Sequence, residues 1–302
     1  MLEETELSNP RSADIDRKST LEIVRIINDE DGKIPDAVTR ELGNIAKIID
    51  SVVDALRAGG RVFYVGAGTS GRLGVLDASE MPPTFGVSPS MFQGIVAGGS
   101  VALRRSIEAA EDDEESAAHE LARRGFSCSD VLIGLSASGR GSFVLAASKE
   151  AKRIGARVFG VTCNAKSPLS RIADRTVTLR VGPEVIAGSS RMKCGTAQKM
   201  VLNMISTASM VKLGKVHRNI MIGLQPRSRK LRARAVRIIS QIAEVKSDVA
   251  RKMLDESGGD IRCAIVMARH GVSRRRAKSL LRRAGGDPDK VAEMTKRERL
   301  AR

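Results

Sequence analysis

A strand, a glycine-rich loop and the start of a helix follow one another in residues 61–86, and this stretch constrains the fold more than any other. Residues 62–65, VFYV, are apolar and rich in β-branched and aromatic side chains, which predicts a buried strand. The loop GAGTSG follows, and a helical pattern then starts at Arg72 and is predicted to end at Pro82-Pro83. Because glycine permits close backbone approach and the first helical amides favour negative charge, the stretch predicts an anion site.

Two known glycine motifs differ from this loop. The letters G-x-G-x-x-G match a dinucleotide-binding loop, which needs an acidic residue about 20 residues later to bind the ribose. The next strand-like run, 91–97, is followed by two glycines and no acid. An ATP-binding loop needs Lys and then Ser or Thr after its last glycine, where this chain has Arg72 and Leu73. The loop is therefore interpreted as a phosphate site without a nucleotide signature.

Strand-like and helical runs alternate along the chain. Strands are predicted at residues 61–65, 91–97, 130–135, 157–162 and 176–181. Helices are predicted at 21–27, with a Ser or Thr cap at Ser19-Thr20, and at 36–56, 102–124, 143–154 and 231–255, with a long one near 191–213. This order predicts an α/β fold, a parallel sheet with helices on both faces and an N-terminal helical arm. Ligands of such sheets bind at the carboxyl ends of the strands, where the glycine loop falls.

A second loop repeats the chemistry of the first. It runs GLSASGRGS over residues 134–142, after the third predicted strand and before a helix. Its hydroxyl groups and amides are suited to the same phosphate from the other side, with Ser136, Ser138 and Gly139 as candidates. The alternative is a Ser-rich helix cap. Two such loops in one sheet favour a binding site.

Composition and cysteine usage narrow the class of protein. Hydrophobic residues make up 42% of the 302, aromatics only 2%, so the core is expected to be aliphatic. The four cysteines and three histidines have no metal-ligand spacing, which indicates reduced cytoplasmic thiols and no metal site. The acidic start is unlike a signal peptide, and no apolar run is long enough to span a bilayer, so no membrane partner is expected.

The positive charge is concentrated in the last third of the chain. Residues 211–302 hold 25 Lys and Arg against 9 Asp and Glu, which equals the whole net charge of +16. A charge shift of this kind predicts a domain boundary, with a basic helical bundle over 228–302. The clusters at 227–237 and 274–276 could contact nucleic acid. No aromatic follows Phe159, so base stacking is excluded there, and a solvated basic face is favoured over a nucleic-acid partner.

Several blocks of the sequence carry a family resemblance. GAGTSGRLG, DASE, IEAAEDDEE and SSRMKCGTAQK closely resemble N-acetylmuramic acid 6-phosphate etherases, over essentially the whole chain. That family has the sugar isomerase (SIS) fold and is related to glucokinase regulatory protein. The resemblance implies a helical arm at 1–55, a SIS sugar-phosphate domain at 56–214 and the bundle at 228–302. It also implies a homodimer, because folds of this class usually build their site across a two-fold axis.

The implied reaction removes the D-lactyl ether from an amino-sugar phosphate without metal or organic cofactor. The family's proton donor is the Glu of DASE, which matches Glu80, and a second acid matches Glu111. Their sequence positions alone favour non-catalytic roles: Glu111 would lie on a solvated helix face, and Glu80 would lie at the end of a helix. The implied phosphate and substrate ligands are Gly68, Thr69, Ser70, Gly71, Arg72, Ser136, Ser138, Gly139, Ser189, Ser190, Arg191 and Lys193.

Three departures from the family pattern and two rival functions accompany this resemblance. Gly141 replaces a Thr of the second loop, which removes one hydroxyl group. Ala109 replaces a Gly and Cys194 replaces an Ala, and both of these changes are small. One rival is a non-catalytic sugar-phosphate-binding regulator, and the other is a nucleic-acid-binding regulator that uses the basic tail. Retention of both Glu80 and Glu111 favours the enzyme, because a sensor needs neither carboxylate.

Overall fold

The protein is described here from a computed structural model that covers residues 4–107, 109–224, 226 and 228–300. Its chain forms two compact units. The first consists of the residues up to Ser79 together with 89–207, and the second of 80–88 together with the residues from Ala208 onward. Glu108 of the acidic block and Arg227 of the basic cluster lie outside the described residues.

The first unit is built on a five-stranded parallel sheet. Its strands are β1 Val62–Gly66, β2 Phe92–Val96, β3 Val131–Leu135, β4 Arg157–Thr162 and β5 Arg175–Thr178, in the order β2-β1-β3-β4-β5. All five predicted strands are confirmed, and so is the α/β class. The last strand ends earlier than predicted, because the Val181 amide turns back to the carbonyl of Leu179. Gly66 pairs with both Val96 and Leu135, so these three strands end at one edge.

Helices flank this sheet. They are α1 Thr20–Asp31, α2 Ile34–Thr39, α3 Leu42–Arg57, α4 Gly68–Phe85, α5 Glu114–Arg123, α6 Ser142–Ile154, α7 Pro168–Ile172 and α8 Lys193–Lys212. The predicted cap of α1 is present: the Ser19 hydroxyl accepts from the Glu22 amide, and the Glu22 carboxylate accepts from the Ser19 amide. The predicted single helix over 36–56 is wrong, because Glu41 leaves helical geometry between α2 and α3.

Helix α4 departs from its predicted bounds at both ends. It begins at Gly68 instead of Arg72 and continues through Pro82 and Pro83, so the predicted stop is wrong. Each proline removes one backbone donor but keeps a φ compatible with a helix. Hydrogen bonding resumes immediately, since the Gly86 amide donates to the Pro82 carbonyl at 2.9 Å.

The predicted helix over 102–124 is also wrong. The structure has short 3-10 helices at Gly99–Leu103 and Ala110–Asp112, and only then α5. Ala109 stands between them at φ +60°, a left-handed conformation that an α-helix cannot accommodate. The acidic block therefore forms a looped segment after β2 instead of one face of a helix.

The core of the first unit lies between the sheet and its helices. Phe63 and Leu132 on the strands pack with Phe143 of α6, and all three side chains are fully buried. The rings of Phe63 and Phe126 meet edge to face, with centroids 5.0 Å apart. Most other members of this core are Ala, Val, Ile and Leu, as the composition indicates.

The second unit is mainly helical. It contains a short antiparallel hairpin, β6 Val216–His217 and β7 Ile220–Met221, which was not predicted. The helices that follow are α9 Arg229–Ala243, α10 Ser247–Glu256, α11 Ile261–His270, α12 Arg274–Arg283 and α13 Pro288–Leu300. The single helix predicted over 231–255 is wrong, because Glu244 at φ +56° separates α9 from α10. In the described part of the chain, no helix has the length and apolar character that a membrane span requires.

Candidate active site

The first glycine loop is closed by direct backbone contact. A Cβ on Gly71 would lie 2.4 Å from the carbonyl oxygen of Gly66, and a Cβ on Gly66 would lie 2.6 Å from the Gly71 nitrogen. Only glycine fits at either position. Gly68 begins α4 at φ +50°, and no backbone acceptor is found for the amides of Thr69 and Ser70 among the described residues. These amides make the helix start a suitable place for an anion.

Two side chains of this loop form hydrogen bonds within the protein. The buried Ser70 hydroxyl donates to Gln198 Oε1 on α8 at 2.8 Å. Arg72 Nε donates to the Ala102 carbonyl at 2.8 Å, and its Nη2 donates to the Arg105 carbonyl at 3.3 Å. Ser70 thus joins α4 to α8, and Arg72 fixes the segment after β2. Their roles as phosphate ligands stay predictions.

The second loop lies beside the first at the edge where β1 and β3 end. Ser136 Oγ accepts from the Gly139 amide at 3.0 Å, and Ser138 Oγ accepts from the Arg140 amide at 3.1 Å. Gly139 has φ +68°, and a Cβ there would lie 2.4 Å from Cβ of Ser167. The loop is therefore rigid. The two hydroxyl groups lie 3.5 Å from each other, so at least one of them keeps its hydrogen available for a donor role towards phosphate.

The third stretch reaches the first loop at the start of α8. Gly195 lies against Thr69, with 3.3 Å between a Cβ on Gly195 and the Thr69 methyl. Ser189 and Ser190 are half-buried and Arg191 is exposed. The structure thus brings three predicted phosphate-binding stretches together in the first unit.

Lys193 is placed differently from the other predicted ligands. It is 1% exposed, and its ammonium lies 2.5 Å from the carboxylate of Glu30, which is equally buried. Its backbone amide and that of Cys194 donate to the carboxylate of Glu184, which caps α8. Its role as a phosphate ligand stays a prediction, and the ion pair favours a structural role.

The two predicted catalytic carboxylates are both exposed. Glu111 lies in the 3-10 helix Ala110–Asp112, directly after the left-handed Ala109. Glu80 lies on α4, in the part of the helix that belongs to the second unit. Exposure leaves both carboxylates free to meet a substrate.

Asp77 is a buried acid that was not predicted as a site residue, although it begins the DASE block. Its carboxylate accepts from Asn203 Nδ2 and from Ser206 Oγ, each at 3.0 Å. The pKa of Asp77 is raised, because the effect of burial exceeds that of these two hydrogen bonds, which lower it. The pKa of the Tyr64 hydroxyl is raised mainly by burial and, to a lesser extent, by the negative charge of Asp77. The apolar residues around Asp77 in the sequence were the available signal that it is buried.

Metal ligation is not supported by the described residues. They contain no group of three or more His, Cys, Asp and Glu placed to hold an ion. The four cysteines are free, and of these only Cys128 is exposed.

Comparison with known proteins places this arrangement in a family. The model of the glucokinase regulatory protein N-terminal SIS domain matches residues 44–152, and that of the SIS domain matches 114–208. A phosphoheptose isomerase from Francisella tularensis has a TM-score of 0.50 at 18% identity, over 64% of this chain and 100% of its own. That likeness shows the fold alone.

Curated relatives are much closer in sequence. An N-acetylmuramic acid 6-phosphate etherase from Caldanaerobacter subterraneus subsp. tengcongensis is 48% identical over 93% of this chain and 92% of its own length. Another, from Jannaschia sp. (strain CCS1), is 51% identical over 86% of this chain and 83% of its own. With this identity over nearly full length, the chain belongs to the N-acetylmuramic acid 6-phosphate etherase family.

Proposed function

We propose that this protein cleaves the D-lactyl ether of N-acetylmuramic acid 6-phosphate and releases N-acetylglucosamine 6-phosphate and D-lactate. The observation that carries the proposal is the 48% identity to a curated etherase over 93% of the chain. The two adjoining loops after β1 and β3 support it. The first offers the amides of Thr69 and Ser70, for which the described residues provide no backbone acceptor, and the second offers the hydroxyl groups of Ser136 and Ser138.

The phosphate end of the substrate is bound by the three stretches that meet in the first unit. The amides of Thr69 and Ser70 and the hydroxyls of Ser136 and Ser138 donate to the phosphate oxygens. Gly141 stands at the N-cap of α6 without a side-chain cap. The amides of the α6 start then take the place of the hydroxyl that family members have there.

The reaction is an elimination followed by addition of water. In the open-chain aldehyde, the C1 carbonyl acidifies the proton on C2, and the lactyl oxygen on C3 lies β to that carbonyl. Glu111 removes the C2 proton, the C3–O bond breaks, and Glu80 protonates the departing lactate oxygen. Water then adds at C3 of the unsaturated aldehyde, and C2 regains a proton. Each positioned acid or base contributes about 10²–10⁴-fold, and the proposal requires no metal or organic cofactor.

The active form in this proposal is a homodimer with shared sites. Ser70 and Glu80 are ten residues apart on α4, a rise of about 15 Å. This distance is more than an open-chain sugar phosphate reaches from its phosphate to C3. The Glu80 that protonates the leaving group therefore comes from the second copy. The exposed apolar side chains of Leu21, Val24 and Leu76 provide surface for the association.

Organisation and location follow from the same proposal. We assign the helical arm to 1–55, the SIS sugar-phosphate domain to 56–214 and the basic bundle to 228–302. A cytoplasmic location is supported by the four free cysteines. The small-molecule partner is an amino-sugar phosphate, with neither membrane nor nucleic acid required.

Lactate release tests the function directly. The purified protein is incubated with N-acetylmuramic acid 6-phosphate, and D-lactate is measured with a D-lactate dehydrogenase. Glu80→Gln is expected to lower turnover by about 10² or more with little change in KM. Ser138→Ala is expected to weaken binding by about 0.5–3 kcal/mol instead. Sugar-phosphate binding without lactate release by the unchanged protein would favour the non-catalytic regulator.

A further inference from the structure

A groove in the second unit collects arginine side chains from two helices. It has a volume of about 620 Å³ and lies between α9 and α10. Its charged lining residues are Arg229, Arg232, Arg237 and Arg251. The remaining lining residues are small, polar or aliphatic: Ala233, Val236, Ser240, Gln241 and Ser247. We call this concavity the arginine groove, and its lining contains no acidic residue.

Helical periodicity produces the groove. Arg229, Ala233, Val236 and Ser240 recur at three- and four-residue spacing, so they share one face of α9. Ser247 and Arg251 are four residues apart on α10 and present one face of that helix. The four arginines of the lining are therefore carried by these two helix faces and their neighbouring positions.

The charges of this groove are mostly uncompensated. Arg232 forms an ion pair with Asp255, which is not part of the lining. For Arg229, Arg237 and Arg251, no ion pair or side-chain hydrogen bond is found among the described residues. Three unpaired guanidinium groups around one concavity repel one another, and a bound anion relieves that repulsion.

We propose that the arginine groove binds a small anion with several linked phosphoryl groups, at a site separate from the sugar-phosphate loops. A guanidinium group donates two parallel hydrogen bonds to a pair of phosphate oxygens, which favours a phosphorylated ligand over a neutral one. Arg229 and Arg237 are eight residues apart on α9, or about 12 Å. A chain of phosphoryl groups can meet several of these arginines along this length at once, whereas one phosphate dianion has oxygens for fewer of them.

A nucleic acid fits the groove less well. No aromatic residue follows Phe159 in the sequence, so the groove offers no surface for stacking bases. Its concavity is also bounded by two helices of 15 and 10 residues, which suits a compact ligand. The nucleoside part of a triphosphate is therefore expected to add nothing to binding.

Titration calorimetry in a phosphate-free buffer tests the proposal on the full chain. Tripolyphosphate is expected to bind with saturation, and orthophosphate at least about tenfold more weakly. ATP is expected to match tripolyphosphate within about threefold. Replacing Arg229, Arg237 and Arg251 together by Gln should weaken tripolyphosphate binding by about tenfold or more. Far-UV circular dichroism checks that these exposed helical substitutions leave the fold intact.

Two controls separate the groove from other sources of binding. Replacing Arg275, Arg276 and Arg282 of α12 by Gln removes the same charge from exposed positions outside the groove. Ser138→Ala perturbs the sugar-phosphate loop, and both controls should leave tripolyphosphate affinity within about threefold.

Three results would overturn the proposal. Equal weakening by the α12 variant would mean that net charge alone attracts the anion. Loss of binding in Ser138→Ala would place the ligand at the sugar-phosphate loops. Duplex DNA that binds more tightly than tripolyphosphate at physiological salt, through the same arginines, would make the groove a nucleic-acid interface. None of these results depends on lactate release, so the test is independent of the proposed etherase activity.

Discussion

Glu111 lies in a local structure that differs from the helix predicted for it. It lies in a short 3-10 helix of the looped segment after β2, and its side chain is exposed. Arg72 anchors the start of this segment through the carbonyls of Ala102 and Arg105, six residues before Glu111. A solvated helix face would have no such anchor.

Substitution of Glu111 tests its role as the base at C2. Glu111→Gln is expected to abolish exchange of the substrate C2 hydrogen with solvent deuterium, because the amide cannot accept that proton. Proton NMR of the sugar in D2O measures the exchange. Glu115→Gln, in the exposed first turn of α5, is the matched control and should exchange at the parent rate. Parent-like exchange in Glu111→Gln would assign the base to another residue.

Asp77 illustrates how a buried acid affects stability. Since burial raises its pKa in the folded protein, the folded state binds this proton more tightly than the unfolded chain. The contribution of Asp77 to the free energy of unfolding therefore falls as the pH rises from about 4 through the raised pKa. Its hydrogen bonds to Asn203 and Ser206 keep α4 joined to α8, three residues before Glu80.

Asp77→Asn removes this titration while keeping an acceptor oxygen. The stability of the variant relative to the parent is expected to improve as the pH rises from about 4 to about 8. Urea unfolding at both pH values measures the change. Asp36→Asn, at an exposed carboxylate of α2, is the control. A difference between Asp77→Asn and the parent that is the same at both pH values would contradict the raised pKa.

At the scale of elements, a buried ion pair connects the first helix to α8. Glu30 and Lys193 are each 1% exposed, and Lys33 also reaches the Glu30 carboxylate at 2.5 Å. Burial alone would raise the pKa of Glu30, but hydrogen bonds from Lys193 and Lys33 lower it to about 2. This lowered pKa stabilises the fold above the unfolded value of 4.5, and the stabilisation is lost as the pH falls from 4.5 towards 2.

Breaking that pair is expected to be costly. Glu30→Gln leaves Lys193 buried without a counter-charge, and should lower the free energy of unfolding at neutral pH by about 3–5 kcal/mol. Asp29→Asn changes the neighbouring exposed acid, which pairs with Arg11 at the surface, and should cost about 1 kcal/mol or less. Denaturant unfolding compares the two. Equal effects of both substitutions would show that Lys193 does not depend on Glu30.

At the scale of the whole molecule, the proposed shared site predicts complementation between defective copies. Glu80→Gln and Glu111→Gln proteins lack different catalytic carboxylates, so a mixed dimer whose two copies carry one change each regains one site with both carboxylates intact. Mixing after partial denaturation and refolding is expected to restore about a quarter of parental lactate release. Light scattering should give twice the monomer mass. A monomeric mass at micromolar concentration, or a mixture no more active than its components, would contradict the shared site.

The sequence alone determined the strands of the sheet, the capping of α1 and the position of the two loops that are proposed to bind phosphate. All of these depend on neighbours within a few residues: an apolar β-branched run, Ser19 with Glu22, and glycines directly after a strand. Charge segregation is likewise a property of composition, so the basic last third was visible before any fold was known.

Tertiary structure alone decided the partners of the charged and polar side chains. Lys193 meets Glu30 across 163 residues of sequence, and Ser70 meets Gln198 across 128. The left-handed Ala109 and Glu244, and the prolines that α4 accommodates, also contradict local propensity. Local patterns encode which residues prefer burial and which conformation is easiest, whereas contacts across the fold decide which side chains pair and where that preference is overruled.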